Sequence, residues 1–224
     1  MKTVVVSIGG SVLLSKEADP PFLKQLSALF HSLASEYKLY IVVGGGRIAR
    51  EYIQLGRSLG FDEHTLDTLG IQITRVNALL LAHLLPDANT KIPETTEQAK
   101  TQSSPIVVMG GTTPGHSTDM VAADLAEKTK ALRFVNATNV DGIFDKDPNK
   151  YADATPYKEI AVDELIQSYG TTWKTAGKNI VIDPPALAII KRIRLPTSVV
   201  NGKRLDQLEK AIRGIPFEGT IITI

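Results

Sequence analysis

Apolar positions along the chain recur with two periods. Thr3 to Ile8 (TVVVSI) and Leu39 to Val43 (LYIVV) are β-branched runs of strand length that stop at glycine, as parallel strands buried on both faces do. Between them Phe22, Leu26, Leu29, Phe30 and Leu33 follow at spacings of three and four, which predicts a helix entered through Pro20 and Pro21 with Asp19 as its cap. Gly46 to Leu59 and Leu66 to Leu85 read as two more helices, Ile106 to Met109 as a strand, Thr118 to Lys130 as a capped helix and Leu132 to Ala137 as a strand. Beyond a loop from Asn139 to Pro156, helices near Val162 to Tyr169, Pro185 to Arg192 and Leu205 to Arg213 are joined by strands at Thr197 to Val200 and Thr220 to Ile224.

Strand and helix alternating along the whole length predict an α/β fold: a mostly parallel sheet with helices on both faces. Neither an internal repeat nor a linker interrupts the pattern. The expectation is one domain over 1–224, with an N-terminal half, 1–131, and a C-terminal half, 132–224, meeting near Leu132.

Composition narrows the function more than the fold. The chain has 224 residues, 43% of them hydrophobic and 22% charged, which excludes a disordered or collagen-like chain. Lys and Arg number 25 against 24 acids, so a net charge of +1 gives no general attraction for nucleic acid or an anionic membrane. Any cationic chemistry has to be local. Cysteine is absent, which excludes disulfides, thiolate metal sites and thiol catalysis. The first residues do not read as a secretion signal, and no apolar run approaches the roughly 20 residues of a spanning helix. A cytoplasmic location is expected.

Candidate chemistry collects after the strands, where open parallel sheets bind ligands. Gly9-Gly10-Ser11, Gly44-Gly45-Gly46 and Gly110-Gly111-Thr112 each follow a β-branched run. Glycine lets backbone approach a ligand closely, and the amides it frees suit phosphate oxygens. One such cluster is equally well a plain turn; three at one sheet edge favour phosphate. The P-loop pattern GxxxxGK[ST] is missing. Gly44 to Ala49 does satisfy the dinucleotide pattern GxGxxA, with Asp67 about 20 residues on, but that reading leaves the other two clusters without a role.

The richest segment, Gly110 to Asp119 (GGTTPGHSTD), runs into the helix MVAADLAEK, for which Ser117 or Thr118 can serve as cap. His116 reads better as a hydrogen-bonding residue than as a base. After the strand LRFVNA, Thr138, Asn139, Asp141, Phe144 and Asp147 offer polar groups and one ring, as two turns or as a nucleoside seat. Asp183, between Ile182 and Pro184, is either a helix cap or an acid of the site.

These segments, in this order, resemble the amino acid kinase family, and within it the archaeal type of uridylate kinase. The residues that carry the likeness are SIGGSVL at Ser7 to Leu13, VVGGGRIAREYI at Val42 to Ile53, LDTLGIQITRVNALLL at Leu66 to Leu81, VMGGTTPGHSTDMVAADLAE at Val108 to Glu127, TNVDGIFDKDP at Thr138 to Pro148 and VIDPPALAII at Val181 to Ile190. The resemblance implies a three-layer α/β/α sandwich with a central, mostly parallel sheet, and transfer of the γ-phosphoryl group of ATP to UMP with Mg2+ as the accompanying ion. It implies that Ser7, Gly9, Gly10, Ser11, Gly45 and Arg50 hold the ATP phosphates, and that Thr138, Asn139, Phe144 and Asp147 contact the ATP nucleoside. Gly44 and Asp67 would face UMP, Asp67 through the ribose hydroxyls, with Pro114, Gly115, His116, Ser117, Thr118, Asp119 and Met120 wrapped around that nucleotide. Arg47, Arg50, Asp141 and Asp183 would form the reaction centre, no protein residue is assigned as a metal ligand, and the assembly would be a homohexamer with ATP and UMP as its small-molecule partners.

Two departures matter. Much of the wider family has lysine where Ser7 stands, so neutralising charge must come from Arg47, Arg50, Lys174, Lys178 or magnesium. Phe144 stands where tyrosine is frequent, which keeps stacking and loses a phenolic hydrogen bond. Alternatives left open are an isopentenyl phosphate kinase of the same fold, a nucleotide sensor without catalysis and a dinucleotide-binding redox domain. Base preference between UMP and CMP and control by UTP or GTP are open at this point.

Overall fold

The computed structural model describes residues 1–14, 19–148, 150–170 and 181–224. The N-terminal part runs β1 (Lys2–Ile8), α1 (Gly10–Leu13), α2 (Pro20–Leu33), β2 (Tyr37–Val43), α3 (Gly46–Ser58), α4 (Glu63–Leu84), α5 (Thr96–Lys100), β3 (Ile106–Met109) and α6 (Thr118–Thr129). It continues with β4 (Arg133–Thr138), β5 (Glu159–Ala161), α7 (Val162–Tyr169), α8 (Pro184–Ile193), β6 (Thr197–Asn201), α9 (Leu205–Arg213) and β7 (Thr220–Thr223). The seven strands form one sheet in the order β3-β2-β1-β4-β6-β7-β5. All neighbours are parallel except β6 and β7, so the two outer strands β7 and β5 run against the rest.

Two apolar cores, one on each face, make the three layers. Period-two alternation sends Val4, Val6 and Ile8 to the face covered by α1, α2, α4 and α9, and Val5 to the face covered by α5, α6, α7 and α8. Burial of these Val, Ile, Leu and Phe side chains is the main favourable term, at roughly 1.5–3 kcal/mol each. Among the described residues no helix is long and apolar enough to cross a membrane.

Helix boundaries follow local chemistry. The Asp19 carboxylate accepts a hydrogen bond from Phe22 N at 3.0 Å, and the stripe Phe22, Leu26, Phe30, Leu33 is buried, as the pattern predicts. Helix α4 starts earlier than its apolar pattern, because Asp62 caps it through Thr65 N at 2.7 Å and the first turn is polar. The short elements α1, α5 and β5 had no signature; three to five residues cannot display a period.

The loops after β1 and β2 are pressed together. A Cβ on Gly10 would lie 2.3 Å from Gly46 N and 2.4 Å from Gly44 O, and Gly46 itself has φ +66°. Backbone on both sides cannot yield as a flexible side chain would, so Gly10→Ala should lower stability by about 1–3 kcal/mol. Urea unfolding should show this as a lower midpoint at unchanged slope; an unaltered midpoint would mean that the two loops move apart freely.

Candidate active site

The sheet order makes β1 and β4 central neighbours whose connections leave in opposite directions, β2 and β3 lying beyond β1 and β6 beyond β4. In open α/β sheets ligands bind at such a switch point, outside the carboxyl ends of the strands. Gly9 spans the two strands there, its N–H donating to Ala137 O at 3.0 Å, while Gly44 N donates to Ile8 O at 2.8 Å. The first two glycine clusters therefore sit side by side at this switch point, and the third follows β3 at the same sheet edge.

Beside the switch point the buried sheet face turns polar. Ser7 and Asn136 are cross-strand partners in the β1–β4 register, and alternation directs both toward α6. Ser7 Oγ donates to Asp119 Oδ1 at 2.8 Å, and Asn136 Nδ2 donates to Val181 O at 3.0 Å. Asp119 stands in the first turn of α6, whose cap is Ser117, accepting from Met120 N at 3.0 Å. Asp183 caps α8, accepting from Ala186 N at 3.0 Å, and receives a short hydrogen bond from the Ser117 hydroxyl. Two helix N-termini and two carboxyls thus meet beside the switch point.

Both acids are held toward their neutral forms. Burial, and after it the charge of Asp183, pushes Asp119 up to about 7, against hydrogen bonds from Ser7 and Asn136 that pull it down. Burial likewise raises Asp183, against hydrogen bonds from Ser117 and from the amides of Ala186 and Met120. Two neighbouring carboxyls short of compensating charge form a place where a cation is stabilised.

Around this centre the sequence candidates fall into separate groups. Arg50 reaches back from α3 so that Nη2 lies 3.2 Å from Ser11 Oγ, joining the first two glycine loops. Arg47 pairs instead with Glu51 one turn on, at the exposed surface. On α4, Asp67 Oδ2 accepts from Gly115 N at 2.7 Å, so this acid already grips the loop that follows β3. His116 is exposed, with Nδ1 3.3 Å from Thr113 Oγ1. Thr118 lies in the first turn of α6, and Ser117 takes the cap.

Beyond β4 the polar groups spread outward. Thr138 Oγ1 lies 3.4 Å from Asn139 Oδ1, Phe144 bridges to Pro156, and Asp147 lies 3.8 Å from Lys150 Nζ. Asp141 accepts from Asn201 Nδ2 at 2.9 Å, so the structure ties it to the end of β6 rather than to the Asp119–Asp183 pair. Asp141 also lines a cleft of about 1110 Å³ with Tyr157, Arg204 and Phe217, whereas Thr138, Asn139, Phe144 and Asp147 do not. Lys174 and Lys178 lie outside the described residues.

Some contributors escaped the sequence reading. Asn136 is one, although a lone Asn inside the apolar run LRFVNA was its signal. Three residues of α4 are others. Thr74 Oγ1 accepts from Gly111 N at 2.7 Å, Arg75 Nε donates to Gly111 O at 3.2 Å, and Asn77 Nδ2 donates to Gly44 O at 2.9 Å. Polar residues on the inward side of an otherwise apolar helix were legible, but their partners 30 or more positions away were not.

A parallel sheet with glycine loops and opposed acids at its switch point is the frame of a phosphate-handling α/β enzyme, and the family comparison agrees. The chain belongs to the amino acid kinase family, whose model matches residues 2–201. It is similar to the uridylate kinase of Methanobrevibacter smithii, 46% identical over 94% of this chain and 95% of that protein. It is also similar to the uridylate kinase of Archaeoglobus fulgidus, 41% identical over 98% of this chain and 99% of that one. The crystal structure of uridylate kinase from Archaeoglobus fulgidus superimposes with a TM-score of 0.87 over 100% of both chains. A Bacillus anthracis UMP kinase structure, at 20% identity and TM-score 0.79 over 99% of this chain and 96% of its own, shares the fold.

Folding raises Asp119 from 3.8 to about 7, so between those values the native state holds a proton that the unfolded chain has lost. Its contribution to stability is full below about pH 4 and fades as pH climbs toward 7. Asp119→Asn cannot ionise and should flatten the fall of Tm across this window. An unchanged slope would assign the titration to another group.

Proposed function

We infer that the chain is an ATP-dependent nucleoside monophosphate kinase that transfers the γ-phosphoryl group of ATP to UMP, giving ADP and UDP for pyrimidine nucleotide synthesis. The observation that carries this reading is the set of glycine loops at one sheet edge, in a chain 46% identical to a uridylate kinase over nearly its whole length. The bond between the β–γ bridging oxygen and the γ-phosphorus breaks, and a phosphate oxygen of UMP forms the new one. No base is required, because the UMP phosphate is already ionised near neutral pH. What opposes the reaction is charge: one like pair at 4 Å costs about 4 kcal/mol at an effective dielectric near 20. Catalysis is therefore alignment of the two nucleotides plus neutralisation of the oxygens between them.

In this reading 1–131 is the acceptor-binding half and 132–224 the half that seats the ATP nucleoside, with the ATP phosphates reaching across to the glycine loops of the first. Ser7, Gly9, Gly10, Ser11, Gly45 and Arg50 hold the ATP phosphates, and Thr138, Asn139, Phe144 and Asp147 the nucleoside. Gly44, Asp67 and the stretch Pro114 to Met120 hold UMP. Asp183 orients the cations of the centre with Asp119 beside it, and Asp141 and Arg47 act from the rim. The bond from Gly115 N to Asp67 Oδ2 leaves the other carboxylate oxygen for a ribose hydroxyl. A kinase of isopentenyl phosphate would want an apolar groove where this chain has Asp67 and a loop of threonines.

A divalent ion accompanies ATP, and Mg2+ is the ion proposed. Among the described residues no group of three or more His, Cys, Asp or Glu converges on one point. That fits Mg2+, which is usually held by substrate phosphates and one or two carboxylates; Asp119 and Asp183 are the nearest pair. When bound, the ion neutralises phosphate charge.

A cytoplasmic homohexamer is proposed, with neither nucleic acid nor membrane as a partner. The cysteine-free composition fits that location. The assembly is supported by exposed apolar side chains on two packed helices: Tyr52, Leu55 and Leu59 on the α3 side, and Val76, Leu79 and Leu80 on α4. Light scattering should give six chains per particle, and Val76→Glu should reduce that number.

A coupled assay with ATP and Mg2+ tests the reaction itself, and UMP should be turned over where isopentenyl phosphate is not. Arg50→Ala should lower kcat by about a hundredfold with Tm little changed. Unaltered turnover would remove Arg50 from the site.

A further inference from the structure

Arg75 stands on α4 eight residues beyond Asp67, so two turns of helix bring both to the same side. Its guanidinium is mostly buried and spans the backbone of the loop after β3. Nε donates to Gly111 O at 3.2 Å, Nη2 donates to Thr112 O at 3.2 Å and reaches Glu94 O at 3.5 Å, and Nη1 pairs with the Glu94 carboxylate at 3.3 Å. Thr74 Oγ1 holds Gly111 N at 2.7 Å from the same turn of helix. Arg47, Arg57, Arg192 and Arg204 each bind a single carboxylate; Arg75 collects successive main-chain carbonyls.

The consequence lies on the other side of those peptides. No peptide bond among the described residues is cis, so each amide points opposite to the carbonyl of its own plane. With Gly111 O and Thr112 O both drawn to one guanidinium, the N–H groups of Thr112 and Thr113 are both turned away from it. Neither amide has a hydrogen-bond partner among the described residues. Two successive amides facing the same way form a concavity that favours an oxygen acceptor.

Position in the sheet indicates which oxygen. β3 is the edge strand, two strand spacings or about 10 Å from β1, where the phosphate-binding glycines lie. The part of the acceptor that reaches this far outward is its base. A pyrimidine with a carbonyl at position 4 accepts from an amide donor, whereas one with an amino group there sets donor against donor, and a buried amide left unpaired is costly.

We propose that Arg75 is a positioning residue for base selection, holding the Thr112 and Thr113 amides ready for the uracil carbonyl edge and against cytosine. The inference rests on the UMP kinase reading and adds to it a residue that sets acceptor specificity without touching the reacting phosphates. Initial rates with UMP and with CMP, at saturating ATP and Mg2+, test it in the wild-type protein, in Arg75→Met and in Arg75→Lys.

Arg75→Met should raise KM for UMP about tenfold, lower the preference for UMP over CMP about tenfold, and leave KM for ATP and kcat with UMP within about twofold. Arg75→Lys, which can reach one carbonyl but not fork to two, should fall between. Thermal unfolding read alongside separates this from loss of the fold. If Arg75→Met is folded and its UMP:CMP ratio matches wild type, the proposal is overturned. If Arg75→Met does not fold, the ratio in Arg75→Lys decides in the same sense. A wild-type protein that phosphorylates neither nucleotide would overturn the kinase reading and this inference together.

Discussion

The structure depends on keeping two carboxyl groups, Asp119 and Asp183, side by side at the centre of a parallel sheet. Neither has a basic side chain as its hydrogen-bond partner among the described residues; their partners are Ser7, Asn136, Ser117 and the amides at the start of α6 and α8. Such a pair is tolerated because two helix N-termini lend partial positive charge, and because protonation near neutral pH relieves what remains. The arrangement is costly to the apo fold and useful to a reaction that brings in cations with its polyanions. Ser7, near the end of β1, faces Asp119. Here the serine satisfies the Asp119 carboxylate by hydrogen bonding and leaves the charge to be balanced by whatever enters with the substrate.

Around that centre, α4 acts as a jig. Asp67, Thr74, Arg75 and Asn77 each bind main chain of a glycine loop, so one rigid helix sets the position of loops that follow two different strands. Loops alone would pay in flexibility for the freedom that glycine gives them. Tethering them to a 22-residue helix restores definition without adding side chains where a nucleotide must approach. The tight contact of Gly10 with the Gly44–Gly46 backbone does the same job between the first two loops. Division of labour follows: backbone meets the ligands, and side chains on α4 hold the backbone.

Much of this was legible along the chain. The β-branched runs that stop at glycine gave β1, β2 and β3, and apolar periodicity gave α2 and most of α4, because each is long enough to show its period and is bounded by punctuation that only certain residues provide. Caps at Asp19, Ser117 and Asp183 were readable for the same local reason. The resemblance reached the family and the fold. Asp119, grouped with the loop around the acceptor, has its carboxyl turned inward onto Ser7; its neighbours in sequence said nothing about a strand 112 residues away.

The sequence by itself determined the alternation of elements, the glycine turns and the two apolar faces, since these follow from steric freedom and hydrophobic spacing within a few residues. Only the tertiary structure decided which polar groups meet. Register pairs Ser7 with Asn136, the sheet order brings β1 beside β4, and the inward side of α4 meets the loop after β3. Those pairings join residues far apart along the chain, and hydrogen bonds depend on distances of a few tenths of an ångström that no local pattern encodes. That is why the chemistry of the candidate centre could be named from residues, while the route by which its acids, hydroxyls and loops support one another had to be seen in three dimensions.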